Sequence, residues 1–257
     1  MALRSSILIV AAIIQGALYG AVDVRTIIQR SVFANQADWK AAPEYSWTEE
    51  DRANRGDRIY EVTMIGGTPW KRMVKEDGMQ LSPAAQQKER QKLDSVTRQR
   101  SAESPEARAE RIAKYQKQRQ RDQLLMDQLA KAFDFTLTGN QTIDSHEVFV
   151  LRATPREGYM PPNKESRVLT GMEGQLWIDT QTFQWVKVTA HVIHPVSIIG
   201  FLAEVEPGTE FELEKSPVAP GIWLPTHFAV KSSSRILSVF GHHTQEDETY
   251  SDYKRIG

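Results

Sequence analysis

Along most of this chain, apolar and polar positions alternate with a period of two, and only a few stretches break the pattern. Tyr60, Val62 and Met64 alternate against Glu61 and Thr63, as expected of a strand with one buried face. The runs 44–52 and 58–65 read as a hairpin. Gly66-Gly67 then turns the chain, 70–76 alternates again, and Asp77-Gly78 makes the next turn. The same grammar returns after residue 133. Phe133, Phe135 and Leu137 alternate, Gly139-Asn140 predicts a turn, and 148–151 is a strand that ends at Thr154-Pro155. Residues 174–179 and 183–192 form a hairpin around Thr180-Gln181-Thr182, with further strands expected at 198–204, 209–215, 222–230, 234–240 and 243–250. Short strands with frequent Gly, Pro and Ser turns predict one large antiparallel sheet that curls on itself.

The breaks in the alternation are helical. Asp23 can cap a helix carrying Ile27, Ile28, Val32 and Phe33. Residues 82–132 form a different zone. Ser82-Pro83 and Ser104-Pro105-Glu106 are two helix starts, each with Ser as cap and Pro at the first helical position. Polar helix formers dominate, and apolar residues stay sparse until Leu124, Leu125 and Leu129. This zone is expected to be an inserted basic helical hairpin that projects from the sheet or closes over it as a lid. The rest, residues 21–257, is expected to be a single domain.

Residues 1–20 carry Arg4, an unbroken apolar run over 7–14, and small residues at Gly20 and Ala21. That is the layout of a secretory signal peptide cleaved near Gly20 or Ala21. The apolar core is about a dozen residues, short of the ~20 that span a bilayer. An uncleaved anchor or a buried helix is the alternative. The chain is therefore expected to be exported and soluble in a periplasm.

Composition narrows the classes. The chain has 257 residues, 40% hydrophobic and 25% charged, with no Cys. Disulfides, thiolate metal sites and cysteine nucleophiles are excluded. A formal net charge of -1 gives no global basic excess, so no nucleic-acid partner is expected. The charge is uneven, however, because residues 82–132 hold 12 basic and 7 acidic side chains.

Candidate chemistry is thin. His242-His243 point to opposite faces of a strand, as do His191 and His194, so neither pair suits a shared ion. Glu246-Asp247-Glu248 lacks the pattern of a calcium loop. Nucleophile-elbow, metalloprotease, phosphate-loop and dinucleotide fingerprints are all missing. No catalytic residue, metal or cofactor is expected. The aromatic residues of the strands offer more. Trp70, Trp177, Trp185, Phe201, Trp223 and Phe228 either pack a core or line the concave face of a curved sheet, where they would hold acyl chains. The basic side chains Arg108, Arg111, Lys114, Lys117, Arg119 and Arg121 are candidates for binding a partner.

The series Gly174-Gln175-Leu176-Trp177-Ile178-Asp179, Ile199-Gly200-Phe201-Leu202-Ala203, Gly208-Thr209-Glu210-Phe211-Glu212-Leu213 and Gly221-Ile222-Trp223-Leu224-Pro225-Thr226 resembles the bacterial outer-membrane lipoprotein-sorting (LolA-like) superfamily. Gly67-Thr68-Pro69-Trp70-Lys71-Arg72-Met73-Val74 and Asp77-Gly78-Met79-Gln80-Leu81-Ser82-Pro83 look like an exported bacterial subgroup of it. The resemblance covers most of residues 45–230. It implies an α+β fold: a highly curved, unclosed antiparallel β-half-barrel with helices as plug or lid. It also implies a periplasmic, non-enzymatic protein that binds lipid or lipoprotein acyl chains in envelope transport and sorting. The alternative is a sensor or scaffold that holds a membrane or regulatory protein of the envelope through its basic helices. The insertion at 82–132 departs from the carriers, whose lid is much shorter.

Overall fold

The computed structural model describes residues 23–53, 56–197, 203–236 and 240–256. Residues 1–20, expected to be a targeting segment, and the candidate Phe201 lie outside it. Among the described residues no helix is long and apolar enough to cross a membrane.

The chain opens with helix α1 (Val24–Ala41), capped by the Asp23 carboxylate, which accepts from the Arg25 amide. Strands β1 (Tyr45–Ala53), β2 (Gly56–Ile65), β3 (Thr68–Glu76) and β4 (Met79–Gln80) follow. The Gly66-Gly67 turn between β2 and β3 has φ of 56° and 91°, and Asp77-Gly78 before β4 has 50° and 74°. Positive φ at both central residues matches the twist of a tight hairpin, and glycine adopts it without steric cost. Helices α2 (Pro83–Ser101) and α3 (Pro105–Ala132) come next. The hydroxyls of Ser82 and Ser104 each accept an amide three residues on, at 3.2 Å.

Strands β5 (Phe133–Ile143), β6 (His146–Pro155), β7 (Met172–Asp179), β8 (Trp185–Val192), β9 (Val196–Ser197), β10 (Ala203–Val205), β11 (Glu210–Ala219), β12 (Ile222–Ile236) and β13 (Phe240–Arg255) complete the chain. All thirteen belong to one antiparallel sheet. Eleven lie on the path β4-β3-β2-β1-β13-β12-β11-β8-β7-β6-β5, while β10 and β9 branch from the far end of β12. Among the described residues no pairing joins β4 to β5, so the sheet is open at both edges.

The sheet is also curved. The path crosses nine steps from β3 to β5, about 43 Å if laid flat at ~4.8 Å per step. Helix α3 ties both strands together. Its Arg111 reaches the β2–β3 turn and its last residue, Ala132, leads directly into β5. That stretch of helix is only about 32 Å long at ~1.5 Å per residue. The two strands therefore sit closer than a flat sheet allows, and the α+β architecture is an open half-barrel with helices against its concave face. The core lies between them: Ile27 and Ile28 of α1 and Ala132 of α3 pack on Phe133, Leu151, Leu176, Ile178 and Trp185.

Two expectations about strands are corrected. Gly139-Asn140 is not a turn. β5 continues through it, and a register shift between Leu137 and Gly139 absorbs the irregularity as a bulge. The chain turns instead at Asp144-Ser145. The predicted strands 222–230 and 234–240 are not separate either. β12 runs unbroken from Ile222 to Ile236, and Ser232, Ser233 and Ser234 pair with Thr244, His243 and His242. Small polar residues punctuate the sequence there without interrupting the ladder.

Candidate functional site

Helix α1 buries an unusual face. Ile27, Ser31 and Asp38 recur at helical spacing and are all at most 3% exposed. Two of these three residues are polar, and each finds a partner in the sheet. The Ser31 hydroxyl accepts from the Trp185 indole at 3.0 Å. One oxygen of Asp38 accepts from the Gln184 side-chain amide at 3.0 Å and from the Trp223 backbone amide at 2.9 Å. The other meets the Lys215 ammonium, which also donates to Asn35 Oδ1 at 2.7 Å. Lys215 is itself buried because it continues the inward series of β11, Phe211 and Leu213, while Glu212 and Glu214 point outward. Burial pushes the Asp38 carboxyl above its ordinary value, against the pull of Lys215. It likewise pushes the Lys215 ammonium down, against the pull of Asp38.

Beside this pair lies a cavity of about 200 Å³. Its walls are Val32 and Trp39 of α1, Met126 of α3, and Trp185, Leu213, Trp223, Leu224 and Pro225 of the sheet. Asp38, Asn35 and Lys215 supply a charged corner, and Asp127 also lines the cavity. A wider cleft of about 1050 Å³ adjoins it, between the start of α1, the end of α3 and β5. Val32, Gln36 and Asp127 line both. A small polar bridge marks the boundary: Asp127 Oδ1 accepts from Gln123 at 2.9 Å and from Gln36 at 3.4 Å. The cavity is walled mainly by apolar side chains, whereas the cleft is also lined by the charged side chains of Asp23, Arg25, Asp127, Lys131, Asp134 and Arg156.

The five described aromatic candidates separate. Trp185 and Trp223 are brought together in the cavity wall. Trp177 is not. Its strand neighbours Leu176 and Ile178 face the core, and Trp177 lies on the other side of β7 in a second cluster with Val148 and Val186, its indole donating to Gln141. Trp70 lies against α2 in a shallow groove with Lys88, Lys92 and Val96, the Arg100 guanidinium 5.8 Å from its ring. Phe228 shares the inner face with its register partner Leu213 but is not part of the cavity lining. Trp39, Met126, Asp38 and Lys215 were not anticipated. The signal for Lys215 was its inward parity in Phe211-Glu212-Leu213-Glu214-Lys215, and for Asp38 its helical phase with Ile27 and Ser31.

The basic candidates divide as well. Arg108, Lys114, Lys117 and Arg121 are exposed. Arg111 is held by Glu103, the Thr68 hydroxyl at 2.7 Å and the Gly66 carbonyl at 3.2 Å. Arg119 stacks 4.1 Å from the Trp39 ring and donates to the Trp39 carbonyl. With Arg100, which donates to the carbonyls of Ile65 and Thr68, these two fasten the helices to the rest of the fold. The hairpin is thus docked on β3 and α1 and does not project freely.

On the outer face, Glu212, Glu214 and His227 bring ligand atoms within 4.8 Å of one another. The Lys187 ammonium already sits 2.8 Å from both glutamates, so an internal cation balances this cluster.

No family model matches the chain, and no curated protein matches it. Solved structures do resemble it. One is a LolA superfamily protein from Nitrosomonas europaea, 13% identical, covering 92% of this chain and 95% of that one, with a TM-score of 0.34. A DUF1329 family protein from Desulfovibrio piger is 9% identical over 90% of this chain and 92% of its own, with a TM-score of 0.33. The MucA/MucB complex of Pseudomonas aeruginosa contributes a chain 10% identical over 91% of this one and 99% of its own, with a TM-score of 0.25. The superfamily that the sequence resembles is thus named among these structures. Likeness at this level says nothing about what the chain binds.

Proposed function

We propose that this chain is a non-enzymatic binding protein of the cell envelope that holds a lipid or lipoprotein acyl chain between α1, α3 and the concave face of the sheet. The observation that carries this reading is the apolar cavity walled by Trp39, Trp185, Trp223 and Met126 and continued by the wider cleft. Each methylene moved there from water contributes about 0.8 kcal/mol. Half a dozen would supply about 5 kcal/mol, a millimolar-to-micromolar contribution before the rest of the chain is seated. The inner cavity alone, at about 200 Å³, is smaller than the ~300 Å³ at which drug-sized sites begin. It therefore receives the end of an acyl chain, and the cleft receives the remainder. Export to a periplasm, expected from residues 1–20, would place the protein where such chains need shielding from water.

The test is uptake of a fluorescent fatty acid by delipidated protein, compared with a Met126→Trp variant that fills the inner cavity. Saturable uptake by the parent and a loss of at least ten-fold in the variant, with its thermal transition retained, is the expected result. No uptake by the parent, or equal uptake by a folded variant, would overturn the reading.

A further inference from the structure

We propose that the outer face of α1 and α3 docks on an anionic phospholipid surface, with Phe33, Leu124 and Met160 entering the interface. These side chains are 74%, 49% and 86% exposed. The other exposed large hydrophobics among the described residues, Met79 and Leu137, sit on β4 and β5, the two free edges of the sheet.

The three tips share a neighbourhood. Helices α1 and α3 lie side by side and antiparallel, because Trp39 meets Arg119 while Gln36 meets Asp127. Phe33 is one turn from Gln36 and Leu124 one turn from Asp127, on opposite sides of that contact and about 9 Å apart along the helix axes. The sheet covers the opposite side of both helices, so both side chains leave toward solvent. Met160 belongs to the loop whose Tyr159 hydroxyl donates to Gln128 Oε1 at 3.0 Å, one turn beyond Leu124.

Cations surround these tips. Lys117, Arg121 and Lys131 share the stripe of Leu124, at helical spacings of seven and three before it and seven after it. Lys40 stands seven residues beyond Phe33, on the same side of α1. All four are exposed. The nearby acids weigh less: Asp134 is paired with Arg156 at 2.9 Å, Asp127 is held by Gln36 and Gln123, and Glu157 stands by the loop. Isolated apolar tips set among lysines and arginines match a bilayer interface. There the tips enter the acyl boundary while the cations stay with anionic headgroups. The wide cleft opens between these same helices, so a docked molecule would present it to the lipid. The docking itself stands on surface chemistry and does not depend on what fills the cavity.

The experiment is flotation of the protein with mixed phosphatidylcholine–phosphatidylglycerol vesicles at low and high salt, with fatty-acid uptake measured in parallel. Binding should require phosphatidylglycerol and weaken with salt. The double variant Phe33→Ser/Leu124→Ser should lose about ten-fold or more, and Lys117→Glu/Arg121→Glu about five-fold or more per cation reversed. All four positions are at the surface, so both variants should keep their circular dichroism and their uptake. Absence of flotation with anionic vesicles at low salt would overturn the proposal. So would equal flotation by the parent and both variants, or capture of an envelope protein in place of lipid. Loss of uptake with flotation intact would instead count against the cavity reading alone.

Discussion

Two ion pairs stand where helices meet this sheet, and they work in opposite senses. Asp38 and Lys215 join α1 to β11, with side chains 4% and 7% exposed. Glu103 and Arg111 pair within the helical hairpin, closer to solvent, and Arg111 carries the pair to the β2–β3 turn through the Thr68 hydroxyl and the Gly66 carbonyl. The Asp38 carboxyl is pushed up because loss of water outweighs its partners. The Glu103 carboxyl is pulled down because the Arg111 hydrogen bond outweighs everything else. The same chemistry thus opposes ionisation in one place and favours it in the other, and the deciding variable is water. The inner pair is a fixed polar corner in an apolar wall, specifying how α1 seats. The outer pair is a clamp on a hairpin whose helices carry little apolar surface of their own.

The largest expected effect comes from breaking the inner pair on one side. Asp38→Ala strands the Lys215 ammonium in the core and removes the acceptor of the Trp223 amide and the Gln184 side chain. Unfolding by urea should show a loss of about 3–5 kcal/mol. Arg111→Ala, measured the same way, should cost clearly less. Similar losses in the two variants would erase the contrast.

A double variant sharpens the same point. Asp38→Asn with Lys215→Met removes both charges yet leaves an oxygen for Trp223 and Gln184. It should stay within about 1 kcal/mol of the parent or exceed it, because desolvation of a buried pair offsets most of its attraction. If the double variant were as unstable as Asp38→Ala, the pair would be a net source of stability, contrary to the direction of both shifts.

How far the sequence carried this picture depends on whether a feature was local. The caps at Ser82 and Ser104 and the Gly66-Gly67 turn are written in neighbouring residues, and all three stand where expected. The bulge at Gly139 and the unbroken β12 were missed because Gly and Ser signal turns on their own, while the partner strand decides whether the ladder continues. Trp177 and Trp185 are equally aromatic and belong to one hairpin, yet they face opposite sides of it. Only the register shift between Trp177 and Ile178 against β8 settles which is which. Arg111 and Arg119 could not be told from Lys114 and Lys117 by composition, since which stripe of α3 faces the fold is a property of the whole packing. Lys215 and Asp38 were legible in periodicity, but a charged residue in an inward position reads as an interruption until its partner is in view.

The smallest effect is a titration, and its sign separates the two pairs most cleanly. A carboxyl whose folded pKa lies below its unfolded value adds stability above about pH 4.5 and loses it as the pH falls through the folded value. Glu103 is in that class, so acid should loosen the α2–α3 connection from the β2–β3 turn. Asp38 is in the opposite class. Its folded value lies above the unfolded one, so its contribution to stability falls as the pH rises from about 3.9 through that raised value. Carboxyl carbon NMR should place the Glu103 midpoint below the ordinary glutamate range and the Asp38 midpoint above the ordinary aspartate range. In Arg111→Ala the Glu103 midpoint should return toward the ordinary value while Asp38 stays where it was. If the Asp38 midpoint lay below the ordinary range, Lys215 would outweigh desolvation, and the corner of the cavity would be a favourable ionic site. If the Glu103 midpoint did not move in Arg111→Ala, the clamp would owe nothing to that hydrogen bond, and the hairpin would be held by Arg100 on the Ile65 and Thr68 carbonyls instead.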